Sequence, residues 1–315
     1  MERILAGGTG FIGQYLVREW LAQGKQVAVI GRSKEKIQKL FQGQVRALEW
    51  SELTADTFRQ AEVVINLAGA GIGEQRWTEK RKTELVDSRT KTTTMLATLL
   101  AQLGKEAPRW FNASAASIYG LQSAFSGLPS RFDGAVGIDK DIVAPDFLSY
   151  IAREWEQAAK PAINKGVHVV FLRFGVVLAK DGGALPHMVR PFYYFLGGPI
   201  GTGNQPFCWV TLPDVAAVID FLLAHPEMSG PVDVVAPGCV PQREFAEIVG
   251  EVLHRPTAVP MPGFLLKLLF GEMAQELLLQ GQYVYPKRLI DMGFKFFYPE
   301  LKPALQLILK PSQKA

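Results

Sequence analysis

The sequence predicts an α/β protein: a doubly wound parallel sheet followed by a smaller, mostly helical C-terminal portion. Three observations carry that expectation. An apolar strand at residues 3–6 runs into glycines 7, 8, 10 and 13 and then directly into an amphipathic stretch. Strand-like and helix-like segments alternate up to about residue 175, the pattern of a parallel sheet covered on both faces. Several strands end on small residues, Ala68-Gly69-Ala70-Gly71 and Ser114-Ala-Ala-Ser117 among them. In such sheets the carboxyl ends of the strands form the edge where ligands bind.

The elements come in order along the chain. Phe11, Ile12, Leu16, Val17, Trp20 and Leu21 recur at helical spacing over residues 11–23, and Gly24 supplies a C-terminal stop. Residues 26–30 read as a buried strand, 45–48 as a shorter one and 61–67 as another. A long helix is expected over 84–103, a strand over 109–113, a helix over 147–162 and a strand over 167–174. Glycines and prolines crowd residues 182–206, which therefore read as long loops. A strand at 231–235 and a helix at 245–254 come next. Prolines 256, 260, 262, 286, 299, 303 and 311 then permit only short helices. The expected division is a dinucleotide-binding domain over 1–180, to which some later segments return. A substrate-side region over 181–315 includes a small C-terminal domain at about 255–310.

A chain of 315 residues buries a full core, and 48% hydrophobic with 20% charged residues is ordinary globular composition. The net charge of +4 suits an anionic ligand, and no basic block indicates nucleic acid. No apolar run reaches spanning length, since the stretch around Phe264 to Phe270 is broken by Lys267. No leader precedes the first strand, so a cytoplasmic setting without a membrane partner is expected. Cys208 and Cys239 make no disulfide framework and read as buried small apolar residues. His168, His187, His225 and His254 lack metal-ligand spacing, so no metal is expected.

Gly8-x-Gly10-x-x-Gly13 fits the Rossmann-like dinucleotide fingerprint, and Gly7-x-x-Gly10-x-x-Gly13 fits its variant spacing. The glycines permit the tight turn, the approach of backbone to a pyrophosphate, and close packing of helix on strand. The pyrophosphate then faces free N–H groups at a helix N-terminus. The second strand ends Val29-Ile30-Gly31-Arg32-Ser33. A carboxylate is usual there, to hold the ribose 2′-OH. Here Gly31 fills that slot and Arg32 comes next, with Ser33 as a further donor. A guanidinium binds a 2′-phosphate bidentately, so the expected cofactor is NADP(H).

The fingerprint, Asn66-Leu-Ala-Gly69, Arg76-Trp77-Thr78, Ser88-Arg89 and Ser114-Ala-Ala-Ser-Ile-Tyr-Gly120 together resemble the extended short-chain dehydrogenase/reductases. Within them the chain resembles the atypical epimerase family, NAD-dependent epimerase/dehydratase-like proteins that end in a small domain of unknown function. The tail Arg255-Pro256, Gly271-Glu272, Pro286-x-x-Leu289 and Gly293-Phe294-x-Phe296 looks like that domain. The resemblance implies that Gly7, Gly8, Thr9, Gly10, Phe11, Ile12 and Gly13 form the pyrophosphate cradle, and that Arg32 and Ser33 hold the 2′-phosphate. It implies that Leu67, Ala68 and Gly69 line the adenosine-ribose path and that Ser114 lies near the nicotinamide ribose. Phe174, Gly175 and Val176 would border the nicotinamide, and Arg89 would face the cofactor or serve as a surface cation.

The chain departs from the pattern where such enzymes carry a Tyr-x-x-x-Lys pair on one helix face. Tyr150 is followed one turn later by Glu154, and the alternative register offers Leu148 and Ala152. Tyr283 with Lys287 and Tyr298 with Lys302 match literally, but each span contains a proline. Ser114, Tyr119 and Tyr150 are the candidate catalytic residues, with Arg153 and Glu154 as further acid/base groups; a structural role is the competing reading for each. The resemblance implies that the aromatic stretches 185–195 and 207–209 fall in the half that binds substrate, with core packing or a subunit contact as the competing reading, and Asp214 reads as a helix N-cap. Two functions are compatible with these residues: an NADP(H)-dependent oxidoreductase or nucleotide-sugar-epimerase-like enzyme acting on a small substrate, or a non-catalytic NADP(H)-responsive binding protein. A homodimer is compatible with either.

Overall fold

The computed structural model describes residues 1–125, 131–132 and 145–309. The first half contains β1 (Glu2–Ala6), α1 (Phe11–Ala22), β2 (Gln26–Gly31), α2 (Lys34–Phe41), β3 (Arg46–Glu49) and β4 (Ala61–Asn66). Then come α3 (Glu79–Leu103), β5 (Arg109–Ala115), the short β6 (Arg131–Phe132), α4 (Phe147–Gln157), α5 (Lys160–Ile163) and β7 (Val169–Phe174). The second half runs β8 (Val176–Leu178), α6 (Leu185–Tyr193), β9 (Pro206–Phe207), β10 (Trp209–Thr211), α7 (Leu212–Ala224), β11 (Gly230–Val234) and β12 (Val240–Pro241). It ends with α8 (Gln242–Leu253), α9 (Gly263–Phe270), α10 (Glu272–Leu277), β13 (Val284–Tyr285), α11 (Lys287–Asp291) and α12 (Leu301–Leu309).

Seven strands form one sheet in the order β11-β7-β5-β4-β1-β2-β3, parallel throughout. The order reverses between β1 and β4, and in open α/β sheets ligands bind beyond the strand ends at such a switch point. Side chains alternate across the sheet. Leu5, Val27 and Val29 pack on one face with Leu16, Val17 and Trp20 of α1 and Val215 and Ile219 of α7. Ile4, Ala6, Ala28 and Ile30 pack on the other with Leu96 and Leu100 of α3. Burial on both faces explains why these strands read as continuous apolar runs. The late strand β11 returns to this sheet beside β7. Three two-stranded ladders, β8 with β10, β9 with β12 and β6 with β13, lie outside this sheet.

Helix boundaries depart from the sequence reading where capping decides them. Helix α3 starts at Glu79 because the Thr78 hydroxyl accepts from the Arg81 N–H. The expected helix over 147–162 is two helices, with a break between Gln157 and Lys160. Residues 185–193 form α6 within what read as loop. Asp214 is not the N-cap of α7: Thr211 caps it, and the Asp214 carboxylate accepts from the Thr211 hydroxyl (2.7 Å) and the Phe297 N–H (2.7 Å). Pro311 and the last residue of the expected C-terminal domain, Lys310, lie outside the described residues.

Candidate functional site

The loop after β1 is shaped by contact. Gly7 holds φ +79°, and a Cβ there would lie 2.7 Å from the Leu67 carbonyl carbon. A Cβ on Gly13 would lie 2.4 Å from the Gly7 carbonyl oxygen and 2.6 Å from the Gly8 Cα, so α1 sits directly on the loop. Gly10 is different. It is exposed, and its Cβ would meet one protein atom within 4 Å, the Gly7 oxygen at 3.2 Å. Packing within the protein therefore constrains Gly10 far less than Gly7 or Gly13. Helix α1 begins at the next residue with no side-chain cap and no acidic residue in its first turn. Its first N–H groups thus remain available to an anion, reinforced by the helix dipole. The Gln14 amide donates to the Thr9 carbonyl (2.9 Å) and steadies the loop. Phe11 lies under the loop after β8, where a Cβ on Gly182 would come within 2.4 Å of its ring.

At the end of β2, Gly31 is packed against Ile37, with a Cβ position 3.0 Å from the Ile37 Cδ1. An acidic side chain in that slot would have to displace the core residue Ile37. Arg32 is exposed and makes no hydrogen bond or ion pair with any described residue. The Ser33 hydroxyl caps α2 by accepting from the Lys36 N–H (3.3 Å), which leaves its own proton to donate. At the end of β4, the Leu67 N–H donates to the Ala6 carbonyl and the Ala68 N–H to the Asn66 side chain. Asn66 is itself fixed by Thr93 and Asn112. Gly69 comes next, and a Cβ there would lie 3.2 Å from Arg89.

Arg89 sits in the middle of α3, half-buried. Its guanidinium donates to the Leu85 and Ala70 carbonyls (3.0 Å each) and lies 5.0 Å from the Trp155 ring centroid. No carboxylate pairs with it among the described residues. Burial, and then the nearby Arg81 charge, lower its pKa to about 10. It stays cationic at neutral pH, a positive charge beside the carboxyl end of β4 with no carboxylate partner among the described residues.

The carboxyl ends of β5, β7 and β11 carry a buried network. The Ser114 hydroxyl donates to Glu156 Oε1 (2.7 Å). Arg173 holds Glu156 bidentately (2.8 Å for both bonds) and donates to the Tyr119 hydroxyl (3.0 Å). Tyr119 in turn donates to the Asp233 carboxylate (2.9 Å). Strand register brings these residues together: Ser114 pairs with Arg173 across β5 and β7, and Asp233 pairs with Arg173 across β11 and β7. Burial, then the Asp233 charge, push the Tyr119 phenol far above its ordinary pKa. Burial opposes the Arg173 charge, but bonding to Glu156 and its charge outweigh that and hold the guanidinium protonated. Ser114 and Tyr119 are thus both buried and hydrogen-bonded within this network. Tyr150 is 43% exposed on α4, with its ring 6.5 Å from Phe147. Gly175 lies where a Cβ would come 2.9 Å from the Cys208 carbonyl oxygen, and Val176 donates to that oxygen. Phe174, Gly175 and Val176 are half-buried at the strand end.

The sequence reading missed Glu156, Arg173 and Asp233. The signal was present as single charges inside apolar strands, Val-Val-Phe-Leu-Arg173-Phe and Pro-Val-Asp233-Val-Val. Cys208 and Cys239 are buried, as expected, with their sulfurs 3.0 Å apart. No helix of the described residues is long and apolar enough to cross a membrane, and no group of three or more metal-ligating side chains occurs among them.

A seven-stranded parallel sheet with a glycine turn, an uncapped first helix and a reversal of strand order between β1 and β4 defines a Rossmann-like, dinucleotide-fold protein. Comparison with known proteins gives the family. Residues 4–236 match the NAD dependent epimerase/dehydratase family, and residues 261–308 match a domain of unknown function, DUF1731. The chain belongs to that epimerase/dehydratase family. It is 35% identical over 312 residues to epimerase family protein YfhF of Bacillus subtilis, covering 98% of each chain. It is 33% identical to the human epimerase family protein SDR39U1, covering 98% of this chain and 100% of the relative. A crystal structure of human SDR39U1 (isoform 2) with NADPH superposes with a TM-score of 0.83 at 31% identity, over 98% of this chain and 99% of that one. The UDP-glucose 4-epimerase of Thermus thermophilus, solved with NAD, shares the fold at 17% identity (TM-score 0.71).

Proposed function

We propose that this chain binds NADP(H) along the carboxyl edge of its sheet and acts as an epimerase-like oxidoreductase on a small substrate. One observation carries the cofactor choice: Arg32, exposed and unpartnered, stands beside the slot where an NAD site keeps a carboxylate. The NADPH in the human relative's structure supports it. The α1 N-terminus and the open face of Gly10 would hold the pyrophosphate, Arg32 and Ser33 the 2′-phosphate, and Leu67, Ala68 and Gly69 the ribose path. When bound, the cofactor supplies or accepts a hydride at nicotinamide C4. Phe174, Gly175 and Val176 would border that ring, and Arg89 would add positive charge near the ribose phosphates. The protein's part in proton transfer falls to Tyr150, which is accessible, rather than to Tyr119, which is sealed in the core. No lysine on α4 assists it, since Glu154 stands one turn on. We place this activity in the cytoplasm.

A second reading, a non-catalytic NADP(H)-responsive binding protein, is favoured by the same observation about the core: Ser114 and Tyr119 are tied into the Glu156–Arg173–Asp233 network. Anaerobic incubation with NADPH and a panel of small aldehydes, ketones and keto-sugars separates the two. Oxidation at 340 nm that depends on the substrate and falls in Tyr150→Phe supports the enzyme. Tight NADPH binding with no oxidation across the panel supports the binding protein.

A further inference from the structure

Fifteen large apolar side chains are exposed among the described residues, and ten of them fall within two short segments: four in 193–196 and six in 259–270. Of these ten, the most exposed are Phe264 (74%), Leu268 (72%) and Tyr194 (65%). The segments adjoin. The Val259 N–H donates to the Gly197 carbonyl (3.2 Å), the Met261 N–H to the Pro199 carbonyl (2.9 Å), and the Arg255 guanidinium lies 4.7 Å from the Phe195 ring centroid. Helix α9, which closes this strip, buries only Leu266. Phe195 holds φ +61°, a left-handed conformation that a bulky residue adopts only when its surroundings fix it. A monomer surface rarely leaves so dense an apolar patch without a use.

The charges select the occupant. Residues 182–204 contain one charged side chain, Arg190, and residues 255–271 contain two, Arg255 and Lys267; neither segment has a carboxylate. None of the three cations makes an ion pair with a described residue. We propose that this face docks on an anionic lipid surface, with α9 lying in the interface plane. Leucine and phenylalanine side chains enter the acyl boundary, tyrosines sit at headgroup depth, and the cations meet lipid phosphates. At eight residues α9 is about 12 Å long, far short of the roughly 30 Å a span requires, so it lies on the membrane and not across it. A second copy of this chain fits less well, because face-to-face contact would set Arg190, Arg255 and Lys267 against like charges with no carboxylate in either segment to pair them. The expectation of no membrane partner rested on span length and the lack of a leader, neither of which this face needs. The inference stands apart from the dinucleotide reading, since none of these residues lies on the glycine loop or at the ends of β2 and β4.

Flotation of the purified full chain with vesicles tests it, using phosphatidylcholine alone and phosphatidylcholine mixed with phosphatidylglycerol. The wild type floats with the mixed vesicles and releases them as salt rises. Phe264→Glu combined with Leu268→Glu lowers the partition coefficient by roughly tenfold or more. Lys267→Glu lowers it by about fivefold or more, and only for the anionic vesicles. Circular dichroism melting serves as the folding control, and an unchanged melt accompanies each loss. Absence of flotation with anionic vesicles overturns the proposal, as does flotation indifferent to the double variant. A wild-type dimer in sedimentation that Leu268→Glu dissociates, without vesicle binding, overturns it in favour of a contact between two copies.

Discussion

Gly10 and Gly13 lie three residues apart in one loop, yet substitution at each should fail for a different reason. At Gly13 an added methyl would lie 2.4 Å from the Gly7 oxygen and 2.6 Å from the Gly8 Cα, both backbone atoms of the turn. Gly13→Ala must therefore move α1 off the sheet, at a cost of about 1–3 kcal/mol in stability. At Gly10 the same methyl meets only the Gly7 oxygen, at 3.2 Å, and the backbone is extended at φ −78°. Gly10→Ala should cost only about 1 kcal/mol, the penalty of alanine at a helix N-cap. The methyl nevertheless occupies the approach to the first-turn N–H groups. Losing two charge-assisted bonds to a pyrophosphate, at about 1.5 kcal/mol each, weakens NADPH by roughly 10²-fold. Calorimetric titration measures the affinity and differential scanning calorimetry the stability. The expected pattern is a binding defect without a large fall in Tm at position 10, and a large fall in Tm at position 13. NADPH affinity within threefold of wild type in Gly10→Ala would refute the placement of the pyrophosphate on this loop.

Other perturbations test the remaining parts of the site. Arg32→Ala should weaken NADPH by about 10- to 100-fold, the worth of a bidentate phosphate contact, while leaving NADH nearly unchanged in the same titration. Glu156→Gln breaks the buried pair with Arg173 and should lower unfolding free energy by about 3–5 kcal/mol in urea denaturation. Tyr119→Phe removes one donor from Asp233 and should cost about 1–3 kcal/mol. The Tyr119 phenol is raised in the folded state, so its stabilising contribution is complete below the unfolded value near about 10 and declines as pH rises above it. Wild-type Tm should therefore fall from about pH 10 upward, and the fall should be shallower in Tyr119→Phe; identical slopes would remove Tyr119 as a cause. Tyr150→Phe should leave NADPH affinity unchanged and lower kcat by roughly 10²-fold or more in any substrate-dependent oxidation; unchanged kcat would exclude Tyr150 as the acid.

The sheet was legible because its two buried faces impose apolar runs, and the glycine turn because backbone contact leaves no room for side chains at Gly7 and Gly13. The early start of α3 was hidden behind a polar first turn, Glu79-Lys-Arg-Lys-Thr83, which shows no apolar period until Leu85 and is set instead by the Thr78 cap. The α4–α5 break escaped because Ala158 and Ala159 are strong helix formers whose turn is fixed by tertiary packing. The position of Arg32 directly after β2 was readable, since the residue at a strand's carboxyl end is set by local order alone. The engagement of Ser114 and Tyr119 was not, because it depends on register: Glu156, Arg173 and Asp233 reach them from α4, β7 and β11. Local sequence carries no record of pairing between positions 42 and 114 residues apart.

Calorimetric titration of the purified chain with NADPH, NADP⁺, NADH and NAD⁺ tests the central claim most directly. Arg32 and the open Gly10 face predict saturable binding of all or part of the series, with the phosphorylated pair favoured by at least about tenfold. Equal affinity for the phosphorylated and unphosphorylated pairs, or no binding to any of the four, would contradict it.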